Sequence, residues 1–531
     1  SLLTCHAEAK KFIDVCLNFN LSQLVSEPTR VTQETANILD LILTNSPENL
    51  SSISYLPEIS DHKIIHTLFS FSSATKHTYA KTICLYDRGN YDAITEDLNT
   101  FLSEYKSVFH TRTIHENWSL FKNKLSVLTN LFIPRVTFHT NKNKPWFSVN
   151  LKRLVNKKKR LFRSAKRRDT PTDWEKYFQV EKSYLVEIRN AKHSFYHNDL
   201  PKLLISNPRQ FWQVLNPKRT HDITLTNDAH EPVTDHECGE IFNSAFASVF
   251  TKELDAPSHS PSVNIEEFMP AITFFEEGIA SVIDNMKLSS SAGMDTINSK
   301  LLKNVNSICA AYLCLIFSQS LTSGIIPDDW KTGKVVPVYK SGNRDSPLNY
   351  RPISLTSVPC KIMEHVIYSQ IVSFLDSCNF FHPSQHGFRK GLSCETQLAL
   401  FLHDLHTNLD RNMQTDVIFL DYAKAFNKVP HRRLLLKLSQ LHLHPNILHW
   451  IEQFLTNRSQ SVFVNGHISN SLPVTSGVPQ GSVLGPLLFL IYISDLPCHI
   501  SCSIHMFADD CAIYHTIINP HDHLDLQTNL N

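Results

Sequence analysis

The chain has 531 residues, enough for two to four domains with substantial cores. Hydrophobic residues make up 42% and charged residues 19%, which excludes a disordered chain. The 51 Lys and Arg residues balance 50 Asp and Glu residues, so net charge by itself predicts no polyanionic partner. Twelve scattered cysteines indicate a reducing compartment. The longest apolar run, 483–493, is about half a membrane span, so we expect no transmembrane segment.

The first 75 residues alternate strand-like and loop-like pieces. Residues 38–44 predict a buried strand that carries Asp40, and Asp61 and His62 precede a second predicted strand at 63–69. Two carboxylates and a histidine of this kind can assist metal-dependent phosphodiester hydrolysis, because one Asp binds the ion and the other orients the His. A simple turn at a strand entry has the same spacing, and on spacing alone we favour the turn. The chain begins without Met or a signal sequence, so we expect an internal piece of a longer protein.

Residues 76–275 are polar and predicted to be mostly helical. Ten of the seventeen residues at 152–168 are Lys or Arg, none is acidic, and a narrow apolar stripe predicts an amphipathic helix. Such a cluster binds a phosphate backbone without reading its sequence. We favour nucleic-acid contact over the alternatives, a nuclear import signal or a solvated helix face. The cations assigned to it are Lys157, Lys158, Lys159, Arg160, Arg163, Lys166, Arg167 and Arg168.

The first part of the C-terminal half contains two cations that are predicted to lie on one hairpin. A small-residue loop at 289–295 precedes a helix predicted from about Ser299 to Gly324. Strands predicted at 334–340 and 350–355 then form a hairpin that presents Lys340 and Arg351. These cations could clamp a nucleoside triphosphate, although an ordinary surface hairpin has the same pattern.

Three carboxylates complete the pattern. A strand predicted at 416–420 is expected to be buried and to deliver Asp421 at its end, and a Gly/Pro loop at 476–482 leads into an apolar helix. Two short apolar runs then flank Asp509 and Asp510, which predicts a hairpin with two adjacent acids at its turn. Hard oxygen ligands of this kind suit Mg²⁺ or Mn²⁺. An Asp-Asp pair at a turn is more often a simple solvated turn, and on the pair alone we favour the turn.

In this order, the strand-end Asp, the Pro-Gln-Gly loop and the Phe-Ala-Asp-Asp hairpin resemble the palm of reverse transcriptases. The strings at 350–355, 385–389 and 391–393 narrow the resemblance to non-LTR retrotransposons (LINEs), close to jockey and chicken-repeat-like elements. Upstream, the strings at 27–30, 39–43 and 60–62 resemble the last third of an endonuclease/exonuclease/phosphatase domain. In non-LTR retrotransposons, too, the endonuclease domain precedes the reverse transcriptase.

The resemblance implies a role for each site residue. Asp421 and Asp509 would bind two Mg²⁺ or Mn²⁺ ions, and Asp510 would complete the acidic triad. Phe426 would exclude the ribose 2′-hydroxyl and thereby select dNTPs. The remaining nucleotide contacts would come from Lys340, Arg351 and Gln480.

The resemblance also implies an architecture. We expect an α+β chain with an endonuclease fragment at 1–75, a helical basic linker at 76–275 and right-hand polymerase fingers and palm at 276–531. The chain stops about twenty residues after Asp510, so we expect no complete thumb. The endonuclease residues would be vestigial, namely Asp40, Asp61 and His62, and no nuclease activity is expected.

The expected partners are an RNA template, a DNA primer or target and dNTPs, without a membrane and in an unknown oligomeric state. Nucleus and cytoplasm are the expected locations. Asn427 departs from the second Asp of relatives and suggests mild decay. The alternative function is a decayed or domesticated fragment that binds RNA through 152–168 without catalysis.

Overall fold

The computed structural model describes residues 12, 16, 21–32, 34–57, 61–70, 80–139, 145–215, 223, 225–226, 233–253, 265–289 and 291–530. The chain divides into two compact units. The first comprises Ser1–Lys81 with His139–Asn141, and the second comprises Thr82–Phe138 with Lys142–Asn531.

The first unit consists of short antiparallel strand pairs. Its strands are β1 (Ser22–Gln23), β2 (Arg30–Val31), β3 (Ala36–Asn37), β4 (Leu43–Thr44), β5 (Leu50–Leu56) and β6 (Ile64–Phe69). β1 pairs with β4, β2 with β3, and β5 with β6. The strand predicted at 63–69 is therefore confirmed as β6.

The prediction of a buried strand at 38–44 is wrong. Only its last two residues form a strand, and Ile38, Leu39 and Leu41 are 41%, 53% and 45% exposed. An apolar run is buried only where a second layer covers it, and among the described residues of this unit the largest sheet has two strands.

The second unit begins with two helices that belong to the main core. Strands β7 (Ala80–Cys84) and β8 (Arg135–His139) pair, and helices α1 (Tyr91–Ser107) and α2 (Ile114–Phe132) lie between them in sequence. Phe121 of α2 stacks on Tyr312 with ring centroids 5.0 Å apart, and the Tyr312 hydroxyl donates to the Leu98 carbonyl at 2.8 Å. These helices therefore share one core with residues two hundred positions away.

The predicted basic helix is confirmed as α3 (Val149–Arg168), which packs on α4 (Pro171–Ser194). Ser148 caps α3 by accepting from the Leu151 amide at 3.2 Å, and Leu151 is buried. Lys158 Nζ lies 2.6 Å from Glu181 Oε1, and among the described residues it is the one cation of the predicted cluster that forms an ion pair. Phe162 and Tyr177 also meet here, with ring centroids 5.4 Å apart, so aromatic contacts help to hold the two helices together.

The remaining described helices follow in chain order. They are α5 (Leu200–Ser206), α6 (Pro208–Leu215), α7 (Asp235–Ala247), α8 (Glu276–Asn285), α9 (Ser299–Asn304), α10 (Asn306–Ser323), α11 (Asp328–Lys331), α12 (Val358–Ser377), α13 (Cys394–Asp410), α14 (Ala425–Lys428), α15 (His431–Ser439), α16 (Pro445–Leu455), α17 (Leu484–Ile493) and α18 (Asp522–Thr528). None of the described helices is both long and apolar enough to cross a membrane.

Two sheets position the polymerase-like half. The first contains β9 (Thr332–Tyr339), β10 (Tyr350–Leu355), β12 (Arg458–Val464), β13 (His467–Ile468) and β14 (Leu472–Val474). The second contains β11 (Gln414–Asp421), β15 (Ser503–Phe507) and β16 (Asp510–Ile517) in the order β11-β16-β15. β9 and β10 pair antiparallel with Tyr350 opposite Tyr339, which confirms the predicted hairpin.

The strand predicted at 416–420 exists, but the expectation that it is buried is wrong. β11 lies at the edge of its sheet, and Phe419 is 73% exposed. An apolar run predicts a strand, but it does not determine which strand of a sheet lies at the edge.

Candidate active site

The two acidic elements meet at one end of the three-stranded sheet. β11 and β16 are antiparallel, and their register places Asp421 directly opposite Asp510. β15 and β16 pair from Ser503–Tyr514 to Phe507–Asp510, so Ala508 and Asp509 form the turn. The hairpin predicted around the two acids is therefore present. Its pairing with β11 places Asp510 next to Asp421, which lies almost ninety positions earlier in the sequence.

Six predicted site residues line one cleft of about 550 Å³. They are Lys340, Arg351, Asp421, Phe426, Gln480 and Asp509. Lys340 directly follows β9, and Arg351 lies in β10. β11 and the hairpin turn contribute the two acids, and the Gly/Pro loop contributes the glutamine. The cleft therefore combines carboxylates, cations, an aromatic ring and an amide, a set of groups that can orient a charged ligand.

The carboxylates crowd one another. The pKa of Asp509 is raised, first by burial and then by the negative charges of Asp510 and Asp421, while Lys340 opposes the shift. A divalent cation would remove this repulsion, and carboxylate oxygens are the ligands that Mg²⁺ and Mn²⁺ prefer. The donor set therefore fits metal ions of that kind.

Lys424, a third cation of the cleft, was not predicted from the sequence. Its backbone is left-handed, with φ at 56°, and its Nζ donates to the Leu348 carbonyl at 2.9 Å. Burial lowers its pKa, and the nearby charges of Lys340 and Arg351 lower it further. Three cations thus face the space beside the acids. Only its position three residues after Asp421 could have indicated this.

Phe426 stands between two other rings. It stacks on Phe489 with ring centroids 4.4 Å apart, and Phe388 meets it edge-on at 6.0 Å. The stack fixes the ring at the wall of the cleft, since both Phe388 and Phe426 line it.

The Gly/Pro loop is pinned on two sides. The Val478 amide donates to the Phe426 carbonyl at 2.8 Å, and the Ser354 amide donates to the Gln480 carbonyl at 2.9 Å. The Gln480 side chain donates through Nε2 to Asn427 Oδ1 at 2.7 Å. The loop therefore presents Gln480 in one orientation to the cleft.

The buried Glu364 carboxylate supports the same loop from behind. It accepts hydrogen bonds from the Val483 and Leu484 amides, at 2.8 and 3.0 Å, where α17 begins. Carboxylates favour helix N-termini because they satisfy free N–H groups and the helix dipole. Burial nevertheless raises the pKa of Glu364. No pattern in the sequence linked this residue to the loop.

In the first unit, His62 Nδ1 lies 2.7 Å from Asp40 Oδ2, so the pair predicted from sequence is brought together. Asp61 instead contacts Arg30, whose Nη2 lies 2.7 Å from its Oδ2. The hydrogen bond from His62 lowers the pKa of Asp40. These contacts show the arrangement, while the role of the three residues stays a prediction.

Residues 338–529, which contain the cleft, match the family described as reverse transcriptase (RNA-dependent DNA polymerase). This match implies a polymerase fold with fingers and palm. The RNA-directed DNA polymerase from mobile element jockey of Drosophila melanogaster is 29% identical over 297 residues, covering 53% of this chain and 32% of that protein. The probable polymerase from transposon X-element of the same species is 31% identical over 263 residues, covering 48% of this chain and 29% of that protein.

A third relative, the probable RNA-directed DNA polymerase from transposon BS of Drosophila melanogaster, is 26% identical over 361 residues, covering 65% of this chain and 40% of that protein. The matched part of the chain is therefore similar to the reverse transcriptases of jockey-like non-LTR retrotransposons. The resemblance of the C-terminal half to reverse transcriptases is confirmed, while the resemblance of residues 1–75 to an endonuclease domain stays a prediction. The chain spans about a third of the length of these curated relatives.

Proposed function

We propose that this chain is an RNA-directed DNA polymerase that adds dNTPs to a primer 3′-hydroxyl on an RNA template. One observation carries the proposal: Asp421 and Asp509 line the same cleft as Lys340, Arg351 and a ring-stacked Phe426. The matching family supports the reaction class.

In this proposal Asp421 and Asp509 hold two Mg²⁺ or Mn²⁺ ions, and Asp510 adds negative charge beside them. When bound, such ions lower the pKa of the attacking hydroxyl and stabilise the leaving pyrophosphate. The carboxylates would fix the positions of these positively charged ions. Amides in their place would leave the ions under-neutralised.

The cations of the cleft orient the triphosphate. Lys340 and Arg351 face the β- and γ-phosphates and hold the α-phosphorus in line with the primer hydroxyl. Gln480 lies beside the sugar and base, in the orientation set by its bond to Asn427. Phe426 fills the space that a 2′-hydroxyl would need, so the site selects dNTPs over NTPs.

The rest of the chain has proposed roles as well. Residues 276–531 form the fingers and palm, residues 76–275 form a linker with the basic helix α3, and residues 1–75 are the C-terminal part of an endonuclease/exonuclease/phosphatase domain. A DNA target that supplies the primer fits this domain order. The position of α1 and α2 in the main core indicates that the linker also braces the polymerase.

Primer extension tests the proposal. The full chain is incubated with an RNA template, an annealed DNA primer, dNTPs and Mg²⁺, and Asp509→Asn is expected to lose at least a hundredfold in rate because the chemistry depends on metal-bound charge. Asp416→Asn is the matched control. Asp416 lies on the same strand as Asp421, but it pairs with His523 at 3.0 Å and does not line the cleft. Extension that is equal in the two variants would refute the assignment.

A second candidate, RNA binding without catalysis, is favoured by α3. Lys159, Arg160, Arg163 and Arg167 line one shallow groove on its surface. Replacing these four with Ser is expected to weaken RNA binding and reduce the slope of log affinity against log salt by about 3, since each phosphate contact contributes roughly 0.7 on a single strand. A control variant with Ser at Lys176, Lys182 and Arg189 of α4 should change the slope much less. RNA binding without primer extension by the unmodified chain would favour this candidate.

A further inference from the structure

The turn that carries Asp509 is held by a residue far away in sequence. Gln385 is 5% exposed, and its side-chain amide faces the turn. Its Oε1 accepts from the Ala508 amide at 2.9 Å, and its Nε2 donates to the Ala508 carbonyl at 3.3 Å. Both backbone groups of one turn residue therefore bind one side chain.

The backbone around Gln385 is itself fixed against the hairpin. The His386 amide donates to the Met506 carbonyl at 2.9 Å, and the Met506 amide donates to the Ser384 carbonyl at 3.0 Å. Gln385 Oε1 also accepts from the Gly387 amide at 2.8 Å. The segment at 384–387 thus follows β15 like a short extra strand and delivers the amide to the turn.

Ala508, the turn residue held by Gln385, has an unfavourable backbone conformation. Ala508 has φ at 58°, in the left-handed region that costs a non-glycine residue free energy. It is also 4% exposed and packs tightly: a Cβ on Gly387 would lie 2.2 Å from the Ala508 nitrogen. A strained turn residue persists where its surroundings determine its conformation, and such strain concentrates at functional sites.

We propose that Gln385 is a positioning residue, which holds Ala508 in its left-handed conformation and thereby keeps the Asp509 carboxylate aimed into the cleft. The proposal rests on the function proposed above, because it assigns Asp509 to metal binding. Gln385 does not line the cleft, so it acts through the turn and not on substrate. Without the clamp, Ala508 would populate ordinary negative-φ conformations, and metal binding would have to restore the native one.

The variant Gln385→Met tests this, because Met has a similar length and lacks the amide. We expect the Mn²⁺ dissociation constant of the chain, measured by electron paramagnetic resonance without nucleic acid, to rise about tenfold, the factor that corresponds to roughly one net hydrogen bond. Hydrogen exchange at the Ala508 amide should accelerate by a similar factor. In primer extension the Mg²⁺ needed for half-maximal rate should rise, with little change in the KM for dNTP at saturating Mg²⁺.

Two further variants keep the test falsifiable. Gln460→Met removes another buried glutamine, whose Nε2 donates to Asn243 at 3.0 Å outside the acidic turn, and it should leave Mn²⁺ affinity and Ala508 exchange unchanged. Gln385→Glu keeps an oxygen that can accept from Ala508 and Gly387, and it should recover part of the exchange protection.

The outcomes separate the two proposals. If the unmodified chain does not extend primers, the proposed function fails, while Mn²⁺ binding and amide exchange still test the clamp. The positioning role is overturned if Gln385→Met folds with unchanged Mn²⁺ affinity and unchanged Ala508 exchange. It is also overturned if Gln460→Met has the same effect.

Discussion

Replacing Asp295 with Asn should change the pH dependence of stability in a calculable way. Asp295 is 3% exposed, its Oδ1 accepts from the Ile297 amide at 3.3 Å, and its Oδ2 has no partner among the described residues. Burial raises its pKa from 3.8 to about 6. The folded chain therefore holds a proton that the unfolded chain has already lost.

Proton linkage gives the sign and size of this pH dependence of stability. Between pH 3.8 and about 6 the unfolded state binds fewer protons than the folded state, so the free energy of unfolding falls as pH rises. A shift from 3.8 to about 6 corresponds to about 3 kcal/mol in total. Roughly 2 kcal/mol of this loss falls between pH 4.5 and 7. The penalty is absent at low pH and fully present above the folded pKa.

The variant Asp295→Asn is neutral at every pH and keeps the side-chain shape. Relative to the unmodified chain, its free energy of unfolding should rise by about 2 kcal/mol between pH 4.5 and 7. Urea unfolding measures this, and tryptophan fluorescence follows it because Trp330 is fully buried in the same core. Comparing two variants at each pH cancels the titration of all other groups.

Asp295→Ala is the matched control. It should show the same pH-dependent difference from the unmodified chain, together with a pH-independent loss because it leaves a small cavity. A difference between Asp295→Asn and the unmodified chain that stays constant from pH 4.5 to 7 would refute the assignment of a raised pKa.

Three further predictions concern the polymerase cleft, its support and the first unit. Phe426→Val should admit ribonucleotides, with the ratio of dNTP to NTP incorporation falling at least tenfold, the cost of roughly 1.4 kcal/mol of discrimination; unchanged sugar selection would refute the proposal that Phe426 excludes the 2′-hydroxyl. Glu364→Ala should destabilise the chain by about 2–5 kcal/mol in urea unfolding, because the two amides that begin α17 lose their partner; a loss below 1 kcal/mol would show that water replaces it. The chain should not nick supercoiled plasmid DNA in Mg²⁺, and nicking abolished by Asp61→Asn would contradict this.

Local patterns predicted the elements of the cleft. Two short apolar runs around Asp509 and Asp510 predicted a hairpin whose strands the structure places at Ser503–Phe507 and Asp510–Ile517. The hairpin of β9 and β10 was equally visible, because its strands lie close together in sequence and a turn-rich segment joins them. Residue spacing is enough for such elements, since their hydrogen bonds are local.

Contacts between distant segments could not be predicted in this way. Gln385 meets Ala508 across 123 residues, and Glu364 meets Leu484 across 120. Sequence periodicity indicates which face of an element is apolar, but it does not determine what covers that face. The same limit explains the two errors, since the run at 38–41 is exposed and β11 lies at the edge of its sheet.

The structure also changes the interpretation of Asn427. The resemblance to reverse transcriptases led us to expect Asp there, and the departure suggested mild decay. Asn427 is 8% exposed, and its Oδ1 accepts from Gln480 Nε2 at 2.7 Å. An Asp carboxylate would offer an oxygen at the same place, so the hydrogen bond that orients Gln480 needs an acceptor and not a charge. A neutral amide makes the bond without the desolvation cost of a buried carboxylate. Asn427 therefore supplies the acceptor that orients Gln480, and its presence does not by itself indicate that the site has decayed.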